Sequence, residues 1–396
     1  MPANAYVGID DLARKVKSIY VGIDGVARKV KNGFIGVAAV ARKFFSSAIV
    51  PDVSNVGEVN ITPDQTKLLG RPAKTANHLI YGPGDEHSSA SFSFTDDLVA
   101  TQYVYPNGIS VPNSSEFQGY AFFLGGENTD AYDRTYNSTY TYSDDLVSQT
   151  RTVLPVQTLS SATYIGAYAV FNDTLLFANW DDTGSWKYDY GPFQIQFNSD
   201  FVMSKTSYPI IKHSCNAATT TDYWFNIGGQ RGNANLNSVD VINKDLVHSS
   251  TTALNDGYGC STMTINGRAC RLSYMTAENT SSIYDTVDAF DNDQIRSNPF
   301  TLGFKPYSDL APYLSIDSTA FIKGMNYIYS LDSDFIKTTY NYTIPESGGY
   351  QYKDSDVCHV PQSPNAIYSL GRTNNNILFK GYSFEDVAKL FTIPIN

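Results

Sequence analysis

The chain has 396 residues, a formal net charge of −11, 42% apolar content and 14% aromatic content with 29 Tyr and 22 Phe, enough for one large domain or two ordinary ones. Many Tyr, Asn, Ser, Thr and Gly residues beside few charges favour β structure with polar loops over helical packing. Four cysteines without CxxC spacing exclude a disulfide scaffold and read as reduced core residues, and no run reaches transmembrane length.

Three 14-residue units come first: residues 5–18 (AYVGIDDLARKVKS), 19–32 (IYVGIDGVARKVKN) and 33–46 (GFIGVAAVARKFFS). Residues 1–46 carry a balance of +5 and the remainder −16, which argues against a large nucleic-acid surface on the main region. With a two-residue turn, Ile9 faces Leu12, and Val7, Ile9, Leu12 and Val16 share one face of a β-meander of about six short strands. The same apolar residues also fall at alternating three- and four-residue steps, the seam of a coiled coil. Gly8, Gly22, Gly25, Gly33 and Gly36 oppose a helix at about 1 kcal/mol each. Either form leaves an apolar face that so short a segment cannot cover, so homo-oligomerisation or attachment to a larger assembly is expected.

These units resemble a YVGVGGVARKVK-type tandem repeat of proteins encoded by phages and prophages of Gram-positive gut bacteria. The resemblance rests on Tyr6-Val7-Gly8, Tyr20-Val21-Gly22, Ala13 to Lys17, Ala27 to Lys31 and Ala41-Arg42-Lys43. The third unit departs, with Ala38-Ala39 at the turn and Phe44-Phe45 in place of Val-Lys. It implies a phage context and names no activity.

Residues 47–66, polar and containing Pro51 and Pro63, read as a linker, and residues 67–396 as one domain. A weaker repeat runs through that domain: SFTDDL, TYSDDL, QFNSDFV, VINKDLV, AFDNDQI, SLDSDFI and SFEDVA align on Asp97, Asp145, Asp200, Asp245, Asp293, Asp334 and Asp386. A unit of 41 to 55 residues holding short strands is the pattern of a β-propeller blade. Asp accepts local backbone N–H bonds, so these acids suit strand-to-strand corners better than a metal or catalytic site. Apolar strands precede most of them: HLIYGPG from His78, YAFFLGG from Tyr120, TLLFANWDD from Thr174, YWFNIGG from Tyr223, RLSYMTAEN from Arg271 and AIYSLGR from Ala366. Gly125-Gly126 and Gly228-Gly229 closing strands resemble kelch-type blades, although the later Tyr and Trp spacing of that family is not kept.

The five His, at 78, 87, 213, 248 and 359, lack the pairing of a zinc site. The most ligand-like segment, NWDDTGSWKYDYGPF, places Trp180, Trp186, Tyr188 and Tyr190 beside Asp181, Asp182 and Asp189. Aromatic faces stack on sugars while carboxylates accept hydroxyl hydrogen bonds, so the loop suits carbohydrate; packing at a chain interface is the competing reading.

The resulting expectation is an all-β protein: a seven-bladed kelch-like β-propeller preceded by a small N-terminal repeat module. Its expected role is a phage virion appendage, a tail-fibre or baseplate component made in a bacterial cytoplasm. In that role residues 1–46 contact other tail proteins and the propeller recognises a host-surface carbohydrate or protein. No catalytic residue, metal, cofactor, nucleic-acid partner or membrane insertion is expected, and the chain is read as a non-enzyme. The alternatives are a propeller hydrolase or oxidase acting on surface glycans, and a cytosolic kelch-type adaptor.

Overall fold

A computed structural model describes the strands within residues 6–46, and residues 50–395 apart from connecting segments. The longest segments left out are 129–137, 154–167, 181–192, 208–215, 274–285, 302–312 and 342–369. Among the described residues no helix is long and apolar enough to cross a membrane.

The head is built of strands, not helices. Tyr6–Ile9 pairs with Leu12–Lys15, Ile19–Ile23 with Val26–Val30, and Asn32–Val37 with Val40–Ser46, all antiparallel. Ile9 lies opposite Leu12 as the two-residue turn requires, and Ile23–Val26 and Val37–Val40 repeat that register. The strands do not run on into a meander, because each hairpin is its own two-stranded sheet. One residue separates Val30 from Asn32, fewer than the two that the tightest common hairpin turn needs.

Among the described residues the rest of the chain forms seven four-stranded antiparallel sheets and two small two-stranded ribbons. Six are consecutive, within residues 69–104, 113–153, 168–207, 216–251, 260–301 and 313–341. The seventh takes Gly371–Arg372, Asn376–Tyr382 and Ala388–Pro394 from the end of the chain and its fourth strand, Gly57–Glu58, from near the beginning. Residues 50–59, which the sequence reading assigns to a linker, therefore belong to the last sheet: Pro51 bridges Ile395, and Val53 and Val56 pack on its core. Thr62 and Gln65 form a capping box on the short helix Pro63–Lys67 that leads into the first sheet.

Each sheet packs on the next. Ala73 and Ile80 of the first meet Phe123 and Tyr140 of the second, and Phe122 of the second lies 5.1 Å from Phe197 of the third. Leu176 of the third meets Trp224 of the fourth, Val241 of the fourth meets Phe290 of the fifth, and Val287 of the fifth meets Leu331 of the sixth. Phe321 of the sixth meets Phe379 of the seventh, and Leu378 of the seventh meets Leu79 and Phe92 of the first.

In six sheets the third and fourth strands are joined by one repeated corner. Leu98, Leu146, Phe201, Leu246, Gln294 and Phe335 each have φ of 61° or 62°, and each donates its N–H to the carbonyl three residues back at 2.9–3.1 Å. The marker acids stand one residue earlier, and those described (Asp97, Asp145, Asp200, Asp245 and Asp293) are exposed. The side chain that accepts local N–H bonds is not theirs but that of the corner's first residue. Asn198, Asn243, Asp291 and Asp332 accept from Val202, Val247, Ile295 and Ile336 at 2.9 Å. Asp386 marks no such corner, since it falls between the second and third strands of the seventh sheet, outside the described residues. The AIYSLGR segment likewise runs into a first strand, not a second.

A non-glycine residue in the left-handed region costs roughly 1–2 kcal/mol. Burial offsets it: Leu98, Leu146 and Phe335 pack on the core shared with the preceding sheet, and Phe201 lies against Phe117 and Tyr120 at 5.5 and 5.2 Å. Full burial of a Leu or Phe is worth about 1.5–3 kcal/mol, so Phe201, 9% exposed, outweighs its strain, while the partly buried Leu98, Leu146 and Phe335 offset theirs in part. Phe201→Ala should lower unfolding free energy by about 3 kcal/mol, whereas Leu246→Ala, at a side chain 38% exposed, should cost less than about 1 kcal/mol in denaturant titration.

Three joints carry a polar clasp between corners. Asp144 of the second sheet accepts from Thr75 Oγ1 at 2.6 Å, Asn77 N at 2.8 Å and the Asn77 amide, all in the first hairpin of the first sheet. Asn292 of the fifth meets Thr220 and Asp222 of the fourth, and Asp96 of the first meets Asn374 of the seventh. Against the desolvation of its site, the Thr75 and Asn77 hydrogen bonds hold the Asp144 carboxyl down to about 2, below its ordinary 3.8. A depressed carboxyl stabilises the fold above its ordinary value and loses that contribution as pH falls through the folded one. Thermal unfolding of the parent should therefore drop between about pH 4 and pH 2 more steeply than that of Asp144→Ala. At neutral pH that variant should be weaker by about 1–3 kcal/mol, and Ser199→Ala, at the equivalent but unclasped corner, by less than about 0.5 kcal/mol.

Candidate functional site

In a four-stranded meander the first-to-second and third-to-fourth connections share one end, and the remaining connections share the other. The clasps join hairpins of successive sheets at the first end, where connections are short: Gln118-Gly119, Asn172-Asp173 and Asn266-Gly267 are two-residue turns with both φ positive. The strands that the longer connections join end at the opposite side of the sheets, where loops can carry binding residues on a rigid frame. Two small ribbons extend this end. Ile109–Ser110 pairs with Glu127–Asn128, and Gln230–Arg231 pairs with Ala234–Asn235.

The strand that enters the aromatic and acidic segment singled out in the sequence ends on this side. Trp180 ends the second strand of the third sheet, Thr174–Trp180, and pairs with Phe193 at the start of the third strand. The register shifts between Phe177 and Trp180, so the strand is irregular where it enters the loop. Asp181, Asp182, Trp186, Tyr188 and Tyr190 lie in residues 181–192, outside the described residues.

Buried charges that the sequence reading missed lie between the sheets. Asp240 and Asp288 occupy equivalent positions in the third strands of the fourth and fifth sheets, and both are buried. Asp288 accepts from Arg271 Nε at 3.2 Å and from Arg296 Nε at 2.8 Å. Asp240 meets His248 Nε2 at 3.3 Å. Phe290 and Ala269, two residues away on the same strand faces, pack on the fourth sheet, so the Arg271–Asp288–Arg296 group lies on the face turned to that sheet. An aspartate and an arginine inside runs such as VDAF and CRLS were the available signal, since charges are almost never fully buried unless paired.

A second group sits on first strands towards the turn-bearing end: Lys74, Glu116 and Arg372. Desolvation pushes the Glu116 carboxyl up while Arg372 and Lys74 oppose the shift, and desolvation, helped by Arg372, lowers Lys74. Burial lifts the Cys270 thiol to about 12, so it stays protonated and is no nucleophile. His78 bonds Asp144 at 3.4 Å within a clasp, and no group of three metal-ligating side chains occurs among the described residues. Arg271, Asp288 and Arg296 all belong to the fifth sheet and Asp240 and His248 to the fourth, so these ion pairs brace the sheets that carry them.

No protein-family model matches the chain, and no characterised protein matches it in sequence. Solved structures do. Streptogramin B lyase superposes with a TM-score of 0.53 at 9% identity, covering 86% of this chain and 98% of the lyase. Virginiamycin B lyase from Staphylococcus aureus gives 0.53 at 12%, covering 86% and 99%, and YjhT gives 0.51 at 12%, covering 72% and 99%. At such identities the shared property is the fold. The expectation that this chain is a non-enzyme is corrected by these matches, because the frame it shares with the two lyases is a propeller-type enzyme fold.

Replacing Asp288 by Ala removes the carboxylate from between two guanidinium groups and should cost about 3–5 kcal/mol. Arg271→Met combined with Asp288→Leu should recover most of that loss in thermal unfolding, which would identify the group as structural.

Proposed function

We propose that the seven sheets close into a seven-bladed β-propeller and that the chain is a propeller enzyme hydrolysing a surface glycan, held on a phage particle by residues 1–46. The closed ring is supported by the packing of each sheet on the next and of the seventh on the first. The observation that carries the functional reading is that the strands joined by the longer connections end on one side of the sheets, with Trp180 leading into the segment that holds Asp181, Asp182 and Asp189.

Trp180, Trp186, Tyr188 and Tyr190 supply stacking faces for sugar rings. Hydrolysis needs two carboxyl groups: one protonates the departing glycosidic oxygen, and the second activates the water that adds to the anomeric carbon. Asp181, Asp182 and Asp189 are the carboxyls this segment offers. The likeness to lyases supports a catalytic use of the frame and carries neither a substrate nor a residue to this chain. In the phage setting the glycan is that of the bacterial surface, and the head holds the enzyme against it.

Incubation with host cell-surface polysaccharide should release reducing ends. Asp181→Asn or Asp182→Asn should lower that rate by about 100-fold or more, and Trp180→Ala and Trp186→Ala should raise KM with little change in unfolding temperature. A parent protein that releases nothing, or aspartate variants that keep full turnover, would remove the hydrolase reading.

A further inference from the structure

The head of this chain presents three copies of one incomplete structure. A two-stranded hairpin alone is marginally stable in water, and three or more strands, or packing on another element, are needed for independent stability. Among the described residues each head hairpin has two strands. The single residue between Val26–Val30 and Asn32–Val37 prevents the second and third hairpins from folding back on each other as neighbours through a tight turn. Their outer strands therefore offer unpaired backbone edges, which act as templates for another strand.

The registers indicate what kind of strand fits. Val7 lies opposite Arg14, Val21 opposite Arg28 and Ile35 opposite Arg42. Gly8–Ala13, Gly22–Ala27 and Gly36–Ala41 follow, and then the apolar pairs Ile9–Leu12, Ile23–Val26 and Val37–Val40. Cross-strand partners share a sheet face, so each hairpin repeats the same small pair on one face and the same aliphatic pair on the other. A second copy of the chain brings strands of matching length and side-chain spacing, which satisfies the edges in register.

We propose that residues 6–46 assemble with the heads of further copies of this chain, hairpin edge to hairpin edge, with the aliphatic faces covered in the assembly. This goes beyond the catalytic reading and does not depend on it.

Light scattering of the full-length protein at micromolar concentration tests this directly, with an oligomer expected. The triple variant Val7→Asp, Val21→Asp, Ile35→Asp keeps each hairpin through opposite-charge cross-strand pairs and removes apolar surface; its dissociation constant should rise by about tenfold or more. The triple variant Val7→Ile, Val21→Ile, Ile35→Val should assemble like the parent. Glycan turnover reports separately on the loop-bearing end. A full-length protein that is monomeric, whether because the head folds onto its own acidic sheets or because it binds a different protein, overturns the proposal, as does an Asp variant that assembles as tightly as the parent.

Discussion

The pairing of Gly57–Glu58 with Phe391–Thr392 is the contact on which the other sheets depend. It brings together strands more than 330 residues apart in sequence and leaves the seventh sheet with a strand from each region of the chain. Loop closure costs entropy that grows only with the logarithm of length, so even this distant contact is affordable once several interactions form together. They do: Lys389 Nζ meets Glu58 Oε2 at 2.9 Å, Asp52 N donates to the Pro394 carbonyl at 2.7 Å, and Val59 N donates to Leu390 O at 2.8 Å.

The neighbouring joint, between the seventh and first sheets, is reinforced in the same region. Buried Lys380 donates to the Leu69 carbonyl, Asn374 donates to Asp96 at 2.6 and 2.9 Å, and Gly371 approaches so closely that a Cβ would stand 2.8 Å from the Tyr81 hydroxyl. A buried ammonium is costly unless it is hydrogen-bonded, so Lys380 favours the docked arrangement of these two sheets over a separated one in which Leu69 moves away. The polar clasps at Asp144 and Asn292 repeat that logic at other joints. Apolar packing supplies most of the stabilisation, and directional bonds select one alignment of sheet on sheet.

The two ends of the sheets then differ in kind. At one end short turns, left-handed plugs and clasps leave little freedom for sequence change. At the other end stand the strands that the longer connections join, Thr174–Trp180 among them. Chemistry built at that end can change without disturbing the turns that align the sheets.

Much of this frame was legible in the sequence, because its elements obey local rules. The two-residue turns place Ile9 opposite Leu12, the apolar runs YAFFL and YWFNI form second strands, and the spacing of Asp97 through Asp334 counts six corners. The same spacing misplaced Asp386, because a periodic count cannot show that the fourth strand of the last sheet comes from Gly57–Glu58. Residues 47–66 read as a linker for that reason: the pairing that makes part of them a strand is with Phe391–Thr392. The sequence also marked the wrong residue of each corner, since the exposed Asp recurs visibly while the accepting side chain varies among Thr, Asn and Asp. The segment from Trp180 to Tyr190 was legible by composition alone. What only the tertiary structure decided is which polar groups meet across sheets: Asp144 of the second and Asn77 of the first, or Asp96 of the first and Asn374 of the seventh, are partners because sheets pack on one another, and no spacing along the chain encodes that approach. Arg271 and Asp288 meet as cross-strand neighbours inside the fifth sheet, a register that the long connection between their strands hides from the sequence.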